Sequence, residues 1–242
     1  MNVVLYSLSS HASACATKRH WIILDTRSDR YFSLDRAHFD LLAPSIQGIS
    51  HCVATDTVIA GRLPAEAAGL ARSLVERGIL EPYIADNDLD RRQATVTSPT
   101  TEIDADFRRA GVGARVLHIP DFLWACARAD RWLRRRSIDW IVRRVALESS
   151  PRGQPGTDFD GSRATRLVQI FNALRPIYPR DYLCMFDSLA LLLFLAVHRI
   201  YPRWVFGVCA DPFKAHCWLQ SGDVLLDDTL PTVSVYTPIM SI

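Results

Sequence analysis

The chain has 242 residues, of which 49% are hydrophobic, and its formal net charge is +2 at pH 7. This length suffices for one large domain or two small ones with a substantial apolar core. So small a net charge gives no reason to expect a nucleic acid or an anionic membrane as a partner. The longest apolar run, Leu189 to Val197, is shorter than the roughly 20 residues that span a bilayer, and no secretory signal pattern is present. We therefore expect a cytoplasmic protein.

The cysteines form no C-x-x-C pair and have no regular spacing, which in a reducing compartment predicts free thiols. Cys209, His216 and Cys217 lie close together in the sequence but lack the paired spacing of structural zinc sites. His216 and Cys217 would also face opposite sides of a strand, since neighbouring strand residues alternate. We therefore predict no metal site.

The first third of the chain begins with short runs of β-branched and aromatic residues, at Val3–Leu8, His20–Asp25 and Arg30–Leu34. The tetrad Thr26–Asp29 between the last two is typical of a turn, so we predict a small antiparallel sheet with one tight hairpin. Asp35 is suited to cap a helix over Ala37–Leu42.

A short apolar turn is expected near residues 56–60, and the spacing of apolar residues predicts a helix from Pro64 to Gly78. Three strands followed by three helices are typical of a winged-helix-like module. DNA binding is disfavoured, because the last helix carries the mixed set Arg72, Glu76 and Arg77 in place of a basic face.

The run His20-Trp-Ile-Ile-Leu-Asp with Arg30-Tyr-Phe-Ser-Leu-Asp, followed by Leu70 to Leu80, resembles the PqqD-like modules of ribosomal-peptide biosynthesis. In that family the leader of a precursor peptide adds as a strand to the sheet edge and packs against the third helix. The resemblance implies that Tyr31, Phe32 and Leu74 lie near a leader. The alternative is that these three residues are simply core.

Residues 85–110 are predicted to be a linker, because the segment from Ala85 to Thr101 is polar and almost free of aromatic residues. Apolar spacing then predicts helices over Ile119–Ala129 and Asp130–Leu147, either separate or kinked near Ser137. The arginines between 128 and 144 indicate a solvated face; the alternatives are a surface for an acidic partner and a set of interdomain ion pairs. A further helix is expected over Arg163–Leu174.

The strongest functional signal is the stretch from Pro179 to Leu195. Asp181 as N-cap would place Cys184 at the third helical position, where free backbone N–H groups and the helix dipole favour a thiolate. The alternative for Cys184 is an inert, buried packing residue.

Alternating patterns over Trp204–Val208, Lys214–Gln220 and Val224–Asp228 predict strands. A three-residue loop, Ser221 to Asp223, would place His216 opposite Asp228. A two-residue loop would instead select Asp227, so the spacing leaves the identity of the carboxylate open.

A thiol at a helix start, then a histidine and an aspartate on successive strands, is the order found in papain-like and transglutaminase-like cysteine enzymes. The imidazole would take the thiol proton, and the carboxylate would support the resulting charge. The competing interpretation is an ordinary hydrogen-bonded strand histidine and a solvated aspartate.

The run Cys184-Met-Phe-Asp-Ser-Leu-Ala-Leu191, with Phe171–Arg175, His216-Cys-Trp-Leu and Gly222–Asp228, resembles the B protein of lasso peptide biosynthesis. This resemblance implies an α+β protein: a winged-helix-like, PqqD-like domain at 1–84, a linker at 85–110, and a transglutaminase-like or papain-like cysteine peptidase domain at 111–242. It implies that Cys184, His216 and Asp228 are catalytic, with the family spacing favouring Asp228 over Asp227.

Members of that family remove the leader of a lasso precursor peptide, and an asparagine-synthetase-like cyclase then closes the ring. Cleavage is described as ATP-dependent, but this sequence has no G-x-x-x-x-G-K-[ST] loop. We therefore expect no directly bound cofactor and assign any ATP requirement to the cyclase. The alternatives are a transglutaminase-like or arylamine-acetyltransferase-like acyl transferase, and a non-catalytic peptide-binding scaffold.

Overall fold

The computed structural model describes residues 6–47, 49, 65–83, 96–149 and 160–242. It divides into two compact units. Unit 1 comprises Met1–Thr95, Val208–Lys214 and Thr237–Met240, and unit 2 comprises Val96–Gly207, Ala215–Tyr236 and Ser241–Ile242. The turn expected near residues 56–60, and Cys52, lie outside the described residues.

Unit 1 contains two three-stranded sheets. One is antiparallel with the order β2-β3-β4, formed by β2 (Ala12–Ala16), β3 (His20–Asp25) and β4 (Arg30–Asp35). The other has the order β5-β1-β6, formed by β1 (Tyr6–Leu8), β5 (Ile46–Gln47) and β6 (Leu80–Pro82).

The hairpin predicted between the second and third runs is confirmed, with Asp25 paired to Arg30. The Asp25 carboxylate closes the turn by accepting hydrogen bonds from the Arg27 N–H (2.9 Å) and the Ser28 hydroxyl (2.6 Å). The prediction that Val3–Leu8 joins the same sheet is wrong. β2 takes the place of this run in the sheet. Residues Ala12 to Cys15 of β2 are buried, but the strand has none of the β-branched and aromatic residues that signal a strand in the sequence.

Two helices are described in unit 1, α1 (Arg36–Leu42) and α2 (Ala65–Glu76). Asp35 caps α1 as predicted, accepting from the Ala37 and His38 N–H groups. Both helices contribute to one core, in which Phe39, Leu42 and Ala71 are fully buried. The winged-helix assignment remains a prediction, because the middle helix would fall outside the described residues.

Five helices are described in unit 2, and each buries apolar side chains. They are α3 (Val112–Arg135), α4 (Ile138–Ser149), α5 (Gly161–Leu174), α6 (Cys184–Val197) and the short α7 (Leu230–Val233). The break predicted near Ser137 is confirmed: the Ser137 hydroxyl accepts from the Trp140 N–H at 3.3 Å and so caps α4. The helix boundary predicted between Ala129 and Asp130 is wrong, because α3 continues to Arg135. None of the described helices combines the length and the apolarity that crossing a membrane requires.

A five-stranded sheet has the order β11-β8-β9-β10-β7. Its strands are β7 (Thr101–Glu102), β8 (Arg203–Ala210), β9 (Phe213–Ser221), β10 (Val224–Leu225) and β11 (Thr237–Ser241). Trp204, Val205, Trp218 and Leu219 are fully buried along its central strands. This sheet and α6 together position the residues described next.

Residues 96–110, expected to be linker, instead belong to unit 2. β7 pairs in parallel with β10, and the Thr97 carbonyl accepts from Gln220 Nε2 at 2.6 Å. A polar segment of this kind can be ordered by hydrogen bonds to a sheet edge, even though its composition does not favour a core.

Candidate active site

Helix α6 begins at Cys184 itself, and the Cys184 residue is exposed to solvent. Leu183 is the N-cap and makes no side-chain cap, so the predicted N-cap role of Asp181 is wrong. Cys184 is therefore the first helical residue and not the third. The conclusion for the thiol is unchanged, because the N–H groups of the first turn have no intrahelical acceptor and favour a negative charge.

Arg175 explains why the helix begins later than predicted. Its guanidinium is buried (the residue is 3% exposed) and donates to the carbonyls of Tyr178, Arg180 and Asp181 at 3.0–3.2 Å. These bonds hold residues 178–181 outside the helix. Arg175 Nε also donates to Asp187 Oδ1 at 2.5 Å, and Asp187 Oδ2 accepts from the Leu183 N–H at 2.8 Å. The pair therefore joins the preceding loop to the first turn of α6.

His216 lies on β9 and hydrogen-bonds through Nε2 to Asp228 Oδ2. Both side chains are largely shielded, at 17% and 15% exposure. Asp228 also accepts from the Thr229 N–H at 2.7 Å, which fixes the carboxylate. Because Nε2 is engaged, Nδ1 is the ring nitrogen left for the thiol.

The hairpin register differs from the one that led to Asp228. β9 and β10 are joined by a two-residue loop, Gly222-Asp223, with Ser221 paired to Val224. Strand pairing ends after Leu225, and the chain beyond it turns so that Asp228, and not Asp227, reaches the imidazole. The expectation that a two-residue loop selects Asp227 is therefore wrong: in this register a continued ladder would place Thr229 opposite His216, and the ladder ends before that point.

Asp227 has a different task. Its Oδ1 accepts a hydrogen bond from the Leu219 N–H at 2.7 Å. This bond satisfies a backbone donor of β9 beyond the point where β10 ends. Burial of this carboxyl raises its pKa to about 7.

The electrostatics of the site favour a charged pair of thiolate and imidazolium. The pKa of Cys184 is lowered to about 4, first by a hydrogen bond with the Cys217 side chain and then by one with His216. The pKa of His216 is raised to about 9, first by its hydrogen bond to Asp228 and then by Cys184. Burial acts to raise the pKa of Asp228, but hydrogen bonds from His216 and Thr229 bring it below its ordinary value.

A buried polar chain under Cys184 was missed at the level of sequence. The Ser188 hydroxyl donates to the Cys184 carbonyl at 2.7 Å and accepts from Trp204 Nε1 at 2.9 Å. It also lies 3.3 Å from Cys217 Sγ. Ser188 is one turn beyond Cys184, so its position on the same helical face was available from the sequence, but Trp204 and Cys217 come from other elements.

Aromatic rings surround His216. Its ring lies 5.1 Å from that of Tyr236 and 6.1 Å from that of Trp218. Trp218 can pack there because Gly207 has no side chain: a Cβ at Gly207 would lie 2.7 Å from the indole. These rings limit the movement of the imidazole.

The residues expected to contact a leader lie in unit 1. Tyr31 and Phe32 are neighbours on β4, the edge strand of its sheet, and both are half-buried. The Tyr31 ring lies 5.3 Å from that of Phe213, and the Arg77 guanidinium lies 5.8 Å from the Phe32 ring. Leu74 is only 5% exposed and packs in the core, as the alternative interpretation had it. A leader-binding role remains a prediction for all three.

Chemically, the arrangement can form and resolve a thioester. The exposed thiolate can attack a carbonyl carbon, and the N–H groups at the start of α6 can stabilise the resulting oxyanion. The imidazolium can then protonate the leaving group. No cluster of three or more metal-ligating side chains occurs in the described ranges.

No curated protein and no solved structure matches this chain. The family model of the transglutaminase-like superfamily matches residues 123–241, about half of the chain. This range contains Cys184, His216 and Asp228 and lies within the expected peptidase range of 111–242. Residues 123–241 therefore form a transglutaminase-like superfamily domain, of a class that generally includes cysteine-dependent enzymes.

Proposed function

We propose that this protein is a cysteine endopeptidase that removes the leader from a lasso precursor peptide and leaves the core peptide for an asparagine-synthetase-like cyclase. The observation that carries the enzymatic part is the exposed Cys184 thiol at a helix start beside His216, itself held by Asp228. The choice of substrate rests on the resemblance of the sequence to the lasso B proteins.

In the proposed reaction the Cys184 thiolate attacks the last carbonyl of the leader. The tetrahedral oxyanion is stabilised by N–H groups of the first turn of α6, and His216 gives its proton to the departing amine. That amine is the new N-terminus of the core. Water, deprotonated by His216, then hydrolyses the thioester and frees the leader.

Recognition of the leader is assigned to unit 1, by addition of a strand to the edge of β4. Two features support this assignment. No described strand pairs with the outer edge of β4. Arg77, which directly follows α2, lies over the Phe32 ring, so β4 and the end of α2 are neighbours as the PqqD-like mode requires.

Acyl transfer is the second candidate, and the family match favours it. The same thioester can be resolved by an amine in place of water, which would make the protein a transglutaminase-like acyl transferase.

The test is incubation of the protein with a lasso precursor peptide that carries its leader, followed by mass spectrometry. Hydrolysis gives free leader and free core. Acyl transfer to an added amine, such as putrescine, gives a leader with a new C-terminal amide. Binding without either product would leave the scaffold alternative.

Cys184→Ala is the decisive variant, because it removes the nucleophile from an exposed position and should not disturb folding. We expect it to bind the precursor and release no product. Cleavage by this variant would falsify the mechanism. Repeating the wild-type reaction with and without ATP, in the absence of the cyclase, tests the expectation that this protein has no ATP requirement of its own.

A further inference from the structure

The strongest concentration of charge outside the candidate active site lies between α3 and α4. Five arginines line an open groove with a volume of about 860 Å³: Arg128, Arg131, Arg135, Arg136 and Arg144. Trp124, Trp132 and Trp140 line it too. We call this surface the Arg–Trp groove.

The charge of the groove is only partly balanced. Glu148 pairs with Arg128 at 2.5 Å and with Arg144 at 2.7 Å. Arg131, Arg135 and Arg136 are exposed, and no carboxylate among the described residues forms an ion pair with them. The groove therefore presents a surplus of positive charge.

Arginines on the neighbouring faces of the same helices are neutralised. Arg134 pairs with Asp130 and Arg143 with Asp139, both at 2.8 Å and both four residues apart. Asp130 and Asp139 are thus used away from the groove, and Glu148 is the carboxylate that pairs with groove arginines. The surplus is a property of one face and not of the helices as a whole.

The tryptophans hold part of this charge in place. The Arg128 guanidinium lies over the rings of Trp124 (4.8 Å) and Trp132 (4.4 Å), and that of Arg136 lies over Trp140 (4.8 Å). A guanidinium stacked on an indole keeps its N–H edge available for a carboxylate and loses less entropy on binding. The groove is therefore partly ordered for a bidentate anionic partner.

We propose that the Arg–Trp groove binds an acidic segment of a partner protein. The lining runs from Trp124 to Arg135, eleven residues of α3 and about 16 Å. That length fits about five extended residues. Within it, the arginines of α3 run from Arg128 to Arg135, about 10 Å, and such a row of separate charges matches successive carboxylates.

The start of α4, which lies beside the groove, does not supply a second anion site. A helix N-terminus can bind phosphate through its free N–H groups. Here the Ser137 hydroxyl already accepts from the Trp140 N–H, and Asp139 adds a negative charge to the first turn. Binding of an anion at this surface therefore depends on the groove arginines.

The test is fluorescence anisotropy with a labelled peptide of alternating glutamate and glycine, about ten residues long, so that it exceeds the groove. A glutamine counterpart measures binding that does not depend on charge. We expect the glutamate peptide to bind, the glutamine peptide not to bind, and the affinity to fall as salt is raised.

The matched variants are Arg131→Gln with Arg135→Gln in the groove, and Arg134→Gln with Arg143→Gln outside it. Both variants remove two positive charges, the groove pair from α3 and the control pair from α3 and α4. We expect the dissociation constant to rise at least about tenfold in the groove variant, equivalent to about 1.4 kcal/mol, and less than about twofold in the control. Circular dichroism checks that both variants are folded.

Three results would overturn the proposal. Equal losses in the two variants would mean diffuse electrostatic attraction. No binding of the glutamate peptide to the wild-type protein would remove the site altogether. Groove-dependent binding of ATP without binding of the glutamate peptide would identify a nucleotide site in its place.

Discussion

The adjacent aspartates Asp227 and Asp228 bind different partners, because β10 ends shortly before them. Asp228 pairs with His216, and its pKa is lowered. Asp227 accepts a backbone hydrogen bond from Leu219, and its pKa is raised to about 7 by burial. Only Asp228 can therefore support a charged imidazole.

The pH profile of kcat/KM should follow from this arrangement. The thiolate–imidazolium pair exists above the pKa of Cys184, lowered to about 4, and below that of His216, raised to about 9. We expect a bell-shaped profile with limbs near these values. Asp228→Asn removes the largest influence that raises the pKa of His216. The basic limb should then move to lower pH, and kcat/KM should fall by up to roughly 10⁴-fold.

Asp227→Asn is the control for Asp228→Asn. An asparagine can still accept from the Leu219 N–H through Oδ1, so we expect kcat/KM within about threefold of the wild-type value and an unshifted basic limb. The reverse pattern, with Asp227→Asn inactive and Asp228→Asn active, would mean that the orienting carboxylate has been misassigned.

Sequence order was enough to single out Cys184 and His216 as candidates, because a helix and a strand each leave a local pattern, but it did not separate Asp228 from Asp227. It was not enough for Cys217, Ser188 and Trp204, which meet only after folding. The choice of Asp228 also came from family spacing and an incorrect loop length, since the turn beyond Leu225 leaves no local pattern.

At the scale of elements, α6 shows why its existence was easier to predict than its first residue. Its apolar run is buried from Leu189 to Leu195, which predicts a core helix. Its start is set by Arg175, whose buried side chain holds the carbonyls of Tyr178, Arg180 and Asp181, three to six residues further along the chain. Local capping preferences had favoured Asp181.

Arg175 and Asp187 should therefore matter for both stability and turnover. Asp187→Asn leaves the buried guanidinium without its counter-ion, and breaking such a pair costs about 3–5 kcal/mol. It should also loosen the first turn of α6, so we expect kcat to fall at least about tenfold, with a smaller change in KM. Urea unfolding and steady-state kinetics measure the two effects.

Arg166→Lys is the control for Asp187→Asn, because Arg166 is an exposed arginine on α5. We expect it to change stability by less than about 0.5 kcal/mol and to leave kcat unchanged. An Asp187→Asn variant with wild-type stability and an unaltered pH profile would show that the pair does not position Cys184.

At the scale of the whole molecule, elements formed by neighbouring residues were predicted well. The hairpin of β3 and β4, the capped α1 and the break at Ser137 each depend on contacts within a few residues. β7 and β11 were missed, because each is short or irregular in pattern and is defined by pairing with distant strands. The same reason explains why residues 96–110 were expected to be linker.

The proposal assigns recognition of the leader to unit 1 and the chemistry to unit 2. It therefore predicts that a change in unit 1 alters KM and leaves kcat unchanged. The hydrogen bond from the Arg36 N–H to the Arg19 carbonyl continues the ladder of β3 and β4. Even-numbered residues of β4 therefore point their N–H groups at β3, and Ser33 points its own at the outer edge. Ser33 is also exposed, so it can be changed without disturbing the core.

Ser33→Pro removes that outward N–H while keeping the ladder to β3, because proline is tolerated at the outer side of an edge strand. We expect KM for the full precursor to rise about tenfold, the loss of roughly one strand-pairing hydrogen bond, with kcat unchanged. Ser33→Ala keeps the N–H and should behave as wild type. Steady-state cleavage assays compare the three proteins, and circular dichroism checks their folding. An unchanged KM in a folded Ser33→Pro protein would mean that the leader does not add to β4.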